Sequence, residues 1–375
     1  MRPETEAELA DMVKAAAGPL RIVGGGTRPI GAPVAGAGLS VAGLSGVELY
    51  EPGALTLVAR AGTPLAEIEA VLAAEGQRLA FEPMDHRRLL GTEGVPTIGG
   101  VVAGNVSGPR RIQAGACRDA LIGVRFVDGR GDVIKNGGRV MKNVTGYDLV
   151  KLMAGSWGTL GVLSQVGFKV LPRPAAVAVI VLHGLDDETA VRALSAALAS
   201  PYEVSGAAHA SDGPGGGAQT LIRIEGFVES VAYRAGRLQA LLAGFGQSTV
   251  EGDPERAAAL WRWVRDVEGF AGQPGDVWRI SLKPSDGPRV VAALEAEGVV
   301  YDWGGGLIWA RVAAGRDIRP ALAGIAGHAT LIRASAETRT KVAVFAPEPA
   351  PLAAIARGLR AQFDPRGILN PGLMG

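Results

Sequence analysis

Three stretches of this 375-residue chain are composed so that backbone, not side chain, can meet a ligand. The first is Gly24-Gly25-Gly26-Thr27, which follows Leu20-Arg21-Ile22-Val23. Successive amides with no side chain over them suit the close approach of a pyrophosphate. An ordinary glycine turn has the same composition. Gly24-x-Gly26 could also open a nicotinamide-dinucleotide fingerprint with Glu48 as its ribose acid, but Pro29 and the residues after it cannot form the helix this requires. The second stretch is Thr97-Ile98-Gly99-Gly100-Val101-Val102-Ala103-Gly104-Asn105, continuing to Gly108-Pro109-Arg110-Arg111. Thr97 can cap a short helix with Gly99, Gly100, Ala103 and Gly104 on one face, a composition that costs helix stability and suits something large and flat lying on the backbone. Close packing of a neighbouring element would use the same face. The third runs from Gly137 to Leu149 and on through Gly155-Ser156-Trp157-Gly158-Thr159-Leu160-Gly161-Val162-Leu163.

Side chains able to move protons or clamp anions are sparse. The four histidines, His86, His183, His209 and His328, have no paired ligand spacing, and we expect no metal site. His86, near Glu82 and Asp85, is the best acid–base candidate. Arg223, Arg279 and Lys283 fall on expected strands and could face a carboxylate, although solvated strand positions explain them as well. The single cysteine, Cys117, can neither close an intrachain disulfide nor ligate an iron–sulfur cluster by itself, and we read it as a small buried residue. Five of the six tryptophans, Trp261, Trp263, Trp278, Trp303 and Trp309, crowd into one region, where they could form a roof, a partner interface or core.

The elements that must position these groups follow from pattern. Thr5-x-x-Glu8 is a capping box ahead of Leu9, Met12, Val13 and Ala16, and Gly18-Pro19 is a stop, so a helix is expected over 6–17. Strands are expected over 20–23 and 55–61, a helix over 64–75, and a hairpin of 121–127 with 133–135 around Asp128-Gly129. After Leu171-Pro172-Arg173-Pro174 the glycine-dense texture gives way to a βαββαβ order with strands over 177–183, 204–210, 220–226 and 248–251 and helices over 187–199 and 230–243. The order repeats with strands over 277–283, 299–303, 307–312 and 330–334 and helices over 285–297 and 316–325. A helix over 254–268 joins the halves, and another over 351–362 precedes a glycine- and proline-rich tail. The expected class is α+β: residues 1–173 with 346–375 form one domain, and residues 174–345 a cap with two ferredoxin-like halves.

Composition agrees with a folded chain of this kind. Gly 55 and Pro 23 are far above average, yet 47% of residues are hydrophobic, which disordered chains do not reach. A net charge of +1 without like-charge runs excludes a nucleic-acid or anionic-membrane footprint. The opening Met1-Arg2-Pro3-Glu4-Thr5-Glu6 is no signal peptide, and the uncharged run 29–47 carries too many glycines and prolines for a membrane helix, so we expect a cytoplasmic protein.

Taken in order, the triple-glycine loop, the Thr-x-Gly-Gly helix, Arg118-Asp119, Lys142-Asn143-Val144-Thr145-Gly146-Tyr147-Asp148-Leu149, Gly155 to Leu163 and Asn370-Pro371-Gly372 resemble the vanillyl-alcohol-oxidase, or PCMH-type, FAD-binding flavoproteins. Within that superfamily, Glu82-Pro83, Gly108 to Arg111 and Lys142 to Leu149 are most similar to the FAD-binding subunits of bacterial glycolate oxidases. The resemblance implies an FAD-dependent 2-hydroxy-acid oxidoreductase. It implies that Gly24, Gly25, Gly26 and Thr27 hold the pyrophosphate, with Arg28 as charge partner. Thr97, Gly99, Gly100 and Asn105 would lie along the ribityl chain and isoalloxazine with Gly108 and Arg111 beside them, and Gly161 and Val162 would face the adenine. Members with covalent FAD use a histidine in the first loop or a cysteine in the second stretch. Neither is present, so FAD is expected to be non-covalent.

Catalytic relatives resemble one another in a histidine cluster that this chain lacks. One reading is therefore a flavin-bearing relay subunit working beside a catalytic flavoprotein and an iron–sulfur subunit, peripheral to the inner membrane through those partners. The other is a self-sufficient FAD-dependent oxidoreductase acting on a small 2-hydroxy acid or another alcohol.

Overall fold

A computed structural model describes residues 1–138 and 146–375; residues 139–145, including Lys142 and Asn143 of the third stretch, lie outside the described residues. Three sheets organise the chain. The parallel pair β1 (Leu20–Val23) and β2 (Ala37–Ser40) delivers the triple-glycine loop, and Leu20 also bridges to Leu369 of the tail. The helix Glu6–Ala15 packs Leu9 and Val13 beneath this pair, its first turn capped where Thr5 Oγ1 accepts the Glu8 N–H at 3.2 Å.

The second sheet runs in the order β3 (Val47–Glu51), β4 (Thr56–Arg60), β8 (Val162–Pro172), β6 (Leu121–Val127), β7 (Val133–Gly137), with β5 (Gln77–Leu79) also paired to β8. Its central strand β8 was not expected from the sequence. Val162, Leu163, Val166, Phe168 and Val170 are buried there, so the strand lacks the clean alternation of a half-exposed one.

The third sheet has eight strands: β9 (Ala176–His183), β10 (Val204–Ala210), β11 (Gln219–Gly226), β12 (Ser248–Glu251), β13 (Asp276–Leu282), β14 (Gly298–Asp302), β15 (Leu307–Val312) and β16 (Gly327–Arg333). Their spatial order, β12-β9-β11-β10-β14-β15-β13-β16, is two ferredoxin-like halves placed edge to edge through β10 and β14. The helices Asp187–Leu198 and Val228–Leu242 cover the first half, Pro254–Asp266 links the halves, and Gly287–Leu294 serves the second. The helix expected over 316–325 is only the 3-10 turn Arg319–Leu322. Pro320 and Gly324, the latter at φ +75°, do not sustain a regular helix there.

Alternation along β9 shows how the third sheet meets the second. Val179 and Val181 point into a core shared with Leu57, Phe81 and Phe168, whereas Ala178, Ile180 and Leu182 point into a separate core under the helices Asp187–Leu198 and Val228–Leu242. The side chains of one sheet face thus form a continuous core with the glycine-rich region.

Candidate functional site

The triple-glycine loop opens a cleft of about 430 Å³ lined by Gly24, Gly25, Gly26, Thr27, Arg28, Thr97, Gly99, Gly100, Gly161 and Val162 among others. Among the described residues, the backbone N–H groups of Gly25, Gly26 and Thr27 donate to no protein acceptor, so the loop presents donors to whatever fills the cleft. Arg28 is the accompanying cation. Its Nη2 is buried without a hydrogen-bond partner, and burial pulls its pKa down to about 10, which leaves it charged at neutral pH. Unpartnered amides beside a guanidinium whose Nη2 is unpartnered fit a dinucleotide pyrophosphate.

The helix Ile98–Ala103 brings the second stretch to the cleft, with Thr97 Oγ1 accepting the Gly100 N–H at 3.4 Å. Its glycines serve different ends. A Cβ on Gly100 would lie 3.3 Å from Arg28 Nη1 and 3.3 Å from Thr97 Oγ1 and otherwise in open space, so its bare face belongs to the cleft. A Cβ on Gly99 would instead come within 2.7 Å of the Ala61 carbonyl oxygen, on Gly161 within 2.5 Å of the Phe126 ring, and on Gly25 within 1.5 Å of the Val95 carbonyl oxygen. Those three line the cleft, but it is protein packing that requires them to be glycine.

Asn105, Gly108 and Arg111 are not in the cleft lining. Asn105 Oδ1 accepts the Arg118 N–H at 3.1 Å, which fixes the turn beyond the helix. Gly108 packs on the Glu82 carbonyl, where a Cβ would approach to 2.1 Å. Arg111 stacks on Trp303 with its guanidinium carbon 4.5 Å from the ring centroid. Gly108, whose carbonyl accepts from Trp303 Nε1, and Arg111 mark the seam between the glycine-rich region and the third sheet. His86 also lies off the cleft, buried behind Arg28. Arg28 Nε lies 3.2 Å from His86 Nδ1, and the Met84 carbonyl oxygen lies 3.3 Å from the same nitrogen, so the ring is held from two sides. Burial, and then the Arg28 charge, lower the His86 pKa to about 3. The acid–base candidate is therefore a neutral ring that positions Arg28 from behind.

Arg339, Trp157 and Asn370, which sequence reasoning gave no site role, complete the cleft. Arg339 donates through Nη1 to the Pro29 carbonyl. Asn370 accepts the Ile22 N–H through Oδ1 at 2.8 Å and donates through Nδ2 to the Trp157 carbonyl at 2.8 Å, tying the tail, β1 and the loop before β8 into one wall. The Asn-Pro-Gly motif pointed to Asn370; nothing local marks Arg339, which reaches the loop from 310 residues away.

The seam holds a buried ion network. Arg223 Nη1 and Nη2 donate to Glu82 Oε1 and Oε2 at 3.1 and 3.0 Å, Arg110 Nη2 and Arg78 Nη1 donate to Glu225 Oε1 at 2.8 and 2.7 Å, and Arg110 also reaches Glu82 at 3.0 Å. Burial alone would raise the Glu82 pKa, but the charges of Arg223 and Arg110 hold it below the usual carboxylate range. Arg223 is therefore committed to carboxylates of the chain itself, and Lys283 is exposed. Among the three cations expected on strands, Arg279 alone is half-buried without a salt-bridge partner among the described residues. Trp261, Trp278 and Trp309 are buried core and cannot serve as a docking face, because the shared core already covers them. Among the described residues no three metal-ligating side chains cluster, and no helix is long and apolar enough to cross a membrane.

The cleft suits a dinucleotide, and comparison with known proteins makes the chain an FAD-binding oxidoreductase. Residues 1–137 match the family described as FAD binding domain (FAD_binding_4). Across 99% of the chain the fold superposes on alkyldihydroxyacetonephosphate synthase with a TM-score of 0.70 at 17% identity, covering 76% of that enzyme. The chain is 38% identical over 359 residues, 95% of its length and 92% of the relative's, to "Glycolate oxidase subunit GlcE" of Escherichia coli (strain K12). It is 42% identical over 80 residues, 21% of this chain and 17% of the relative, to "Glycolate oxidase subunit GlcD" of Bacillus subtilis (strain 168). The chain belongs to the family of the glycolate oxidase subunit GlcE.

Proposed function

We propose that this chain is the FAD-binding subunit of a complex that oxidises glycolate or a closely similar 2-hydroxy acid, working with a catalytic flavoprotein subunit and an iron–sulfur subunit. The observation that carries the reading is the similarity to GlcE along nearly the whole chain, joined to a cleft whose free amides and unpartnered Arg28 Nη2 suit a dinucleotide. In this reading residues 1–173 with 346–375 hold FAD, and residues 174–345 form the cap.

Gly25, Gly26 and Thr27 bind the pyrophosphate through backbone N–H groups, and Arg28 neutralises it. Thr97 and Gly100 line the ribityl and isoalloxazine end, and the backbone at Gly161 and Val162 meets the adenine. His86 keeps Arg28 oriented through the contact of its Nδ1 with Arg28 Nε, and Asn370 and Arg339 keep the loop walls in place. When bound, FAD supplies a two-electron acceptor that can be reoxidised in single steps. Without an iron–sulfur ligand set in the sequence, onward transfer belongs to a partner.

The test is turnover of glycolate and D-lactate by the purified chain alone and after co-expression with the catalytic flavoprotein and the iron–sulfur protein. Little activity alone and full activity together supports the relay role. Full turnover by the lone chain makes it a self-sufficient oxidoreductase instead.

A further inference from the structure

We infer that Arg111 and Arg279, both stacked on Trp303 at the seam, form a binding site for the carboxylate of a small organic acid. Arg111 opens the short helix Arg111–Ala114 and Arg279 lies on β13, so the two cations come from opposite sides of the seam. Their guanidinium carbons lie 4.5 and 5.0 Å from the centroid of the same indole ring. Trp303 is held in place: its Nε1 donates to the Gly108 carbonyl at 3.1 Å, its backbone N–H to Asp302 Oδ1 at 2.7 Å, and its φ is +53°. A bulky residue at a positive φ is held there by its surroundings.

What singles out the pair is its want of acceptors. The neighbouring seam arginines Arg78, Arg110, Arg223, Arg265 and Arg333 all donate to carboxylates or carbonyls. Among the described residues neither Arg111 nor Arg279 donates a side-chain hydrogen bond or makes a salt bridge. The registers of β13 with β16 put Ser281 opposite His328 and Arg279 opposite Thr330, so His328 shares the sheet face with Arg279 and adds no counter-charge; Asp302, paired with Leu307 as Ser281 is, shares that face too, and its charge acts on Arg279 but makes no salt bridge with it, its Oδ1 accepting the Trp303 N–H instead. Burial and the Arg111 charge lower the Arg279 pKa to about 10, and it stays cationic at neutral pH. Two planar forks held by one ring, with donors unspent, match a carboxylate, which accepts in bidentate fashion.

This inference rests on the proposed function, for which it names the part of the substrate recognised. Its test is calorimetric titration of the oxidised, FAD-loaded protein with methoxyacetate, which carries the carboxylate but no oxidisable hydroxyl, and with the uncharged 2-methoxyethanol. Methoxyacetate should bind and methoxyethanol should not. Arg279→Gln and Arg111→Gln should each weaken methoxyacetate about ten-fold or more, with Arg279→Lys between, because lysine keeps the charge and loses the fork. FAD content checks folding, and the two glutamine variants stand in for each other if one fails to fold. Absence of methoxyacetate binding, unaltered binding by the glutamine variants, or inorganic phosphate binding as tightly as methoxyacetate overturns the site. Binding as expected without flavin reduction by glycolate in the reconstituted complex overturns the proposed reaction and leaves the site standing.

Discussion

Replacing Glu82 by glutamine removes one of two carboxylates from a buried cluster that also contains three guanidinium groups, those of Arg78, Arg110 and Arg223. The Glu82 side chain is 10% exposed and that of Arg223 2%, so water cannot replace the lost charge. Arg223 keeps Ser205 and a 3.7 Å approach to Glu225, and its guanidinium carbon stays 4.4 Å over the Trp261 ring, but its bidentate partner is gone. Breaking a buried pair from one side costs roughly 3–5 kcal/mol, mostly as the penalty on the stranded charge. At roughly 2 °C per kcal/mol for a chain of this size, E82Q should melt on the order of 6–10 °C lower. Adding Arg223→Met removes the stranded cation and should return much of that loss, since an apolar replacement of a whole pair is close to neutral. Thermal melts of the FAD-loaded parent, E82Q, R223M and the double variant form the cycle. An E82Q melting point within about 2 °C of the parent, or a double variant worse than the sum of the singles, would refute the claim that this network holds the third sheet to the glycine-rich region.

Acid precipitation should release all flavin into the supernatant, because Cys117 is buried with its thiol pKa pushed up and no histidine lines the cleft; flavin retained in the pellet means a covalent bond. Gly100→Val should abolish FAD binding with retained circular dichroism, whereas Gly25→Val should disrupt folding by driving a side chain into the Val95 carbonyl; stoichiometric FAD on Gly100→Val would show that the flavin lies elsewhere. His86 and Asp302 should tilt stability in opposite directions with pH. His86, lowered to about 3, contributes stability that is present above about 6.5 and lost as pH falls, while Asp302, raised by burial to about 7, contributes stability present below about 3.8 and lost as pH rises through 7. Asp302→Asn should therefore gain stability relative to the parent between pH 5 and pH 8, by up to about 3 kcal/mol, and His86→Gln should lose less on acidification than the parent; melts at the two pH values showing no relative change would refute both assignments.

The glycine-rich stretches and the twofold βαββαβ order were legible because each rests on a local rule: amides bared by glycine in one case, period-2 and period-3.6 patterns between turns in the other. Strand β8 was not legible, since its first residues are buried on both faces and only Gln165 and Lys169 break the buried run before Val170. Gly25, Gly99 and Gly161 look alike in sequence to Gly100, yet their bare faces meet Val95, Ala61 and Phe126, partners distant in the chain. A glycine reports that space is tight without reporting who occupies it. The same limit applied to the arginines. Arg110 and Arg111 are adjacent in one motif, but one donates to Glu82 and Glu225 while the other stacks unpaired on Trp303, and only the fold separates a structural cation from a free one.

That separation has a chemical consequence for the seam as a whole. The third sheet approaches the glycine-rich region with two classes of positive charge: Arg223, neutralised by Glu82 and Glu225, and Arg279, which among the described residues makes no salt bridge although Asp302 shares its sheet face. Had both been paired, the seam would be a sealed structural joint; had neither, the like charges of Arg78, Arg110, Arg111, Arg223 and Arg279 would oppose docking of the two parts. The carboxylates are spent where they join sheet to loop, so repulsion at the Arg111–Trp303–Arg279 stack remains for an incoming anion to relieve.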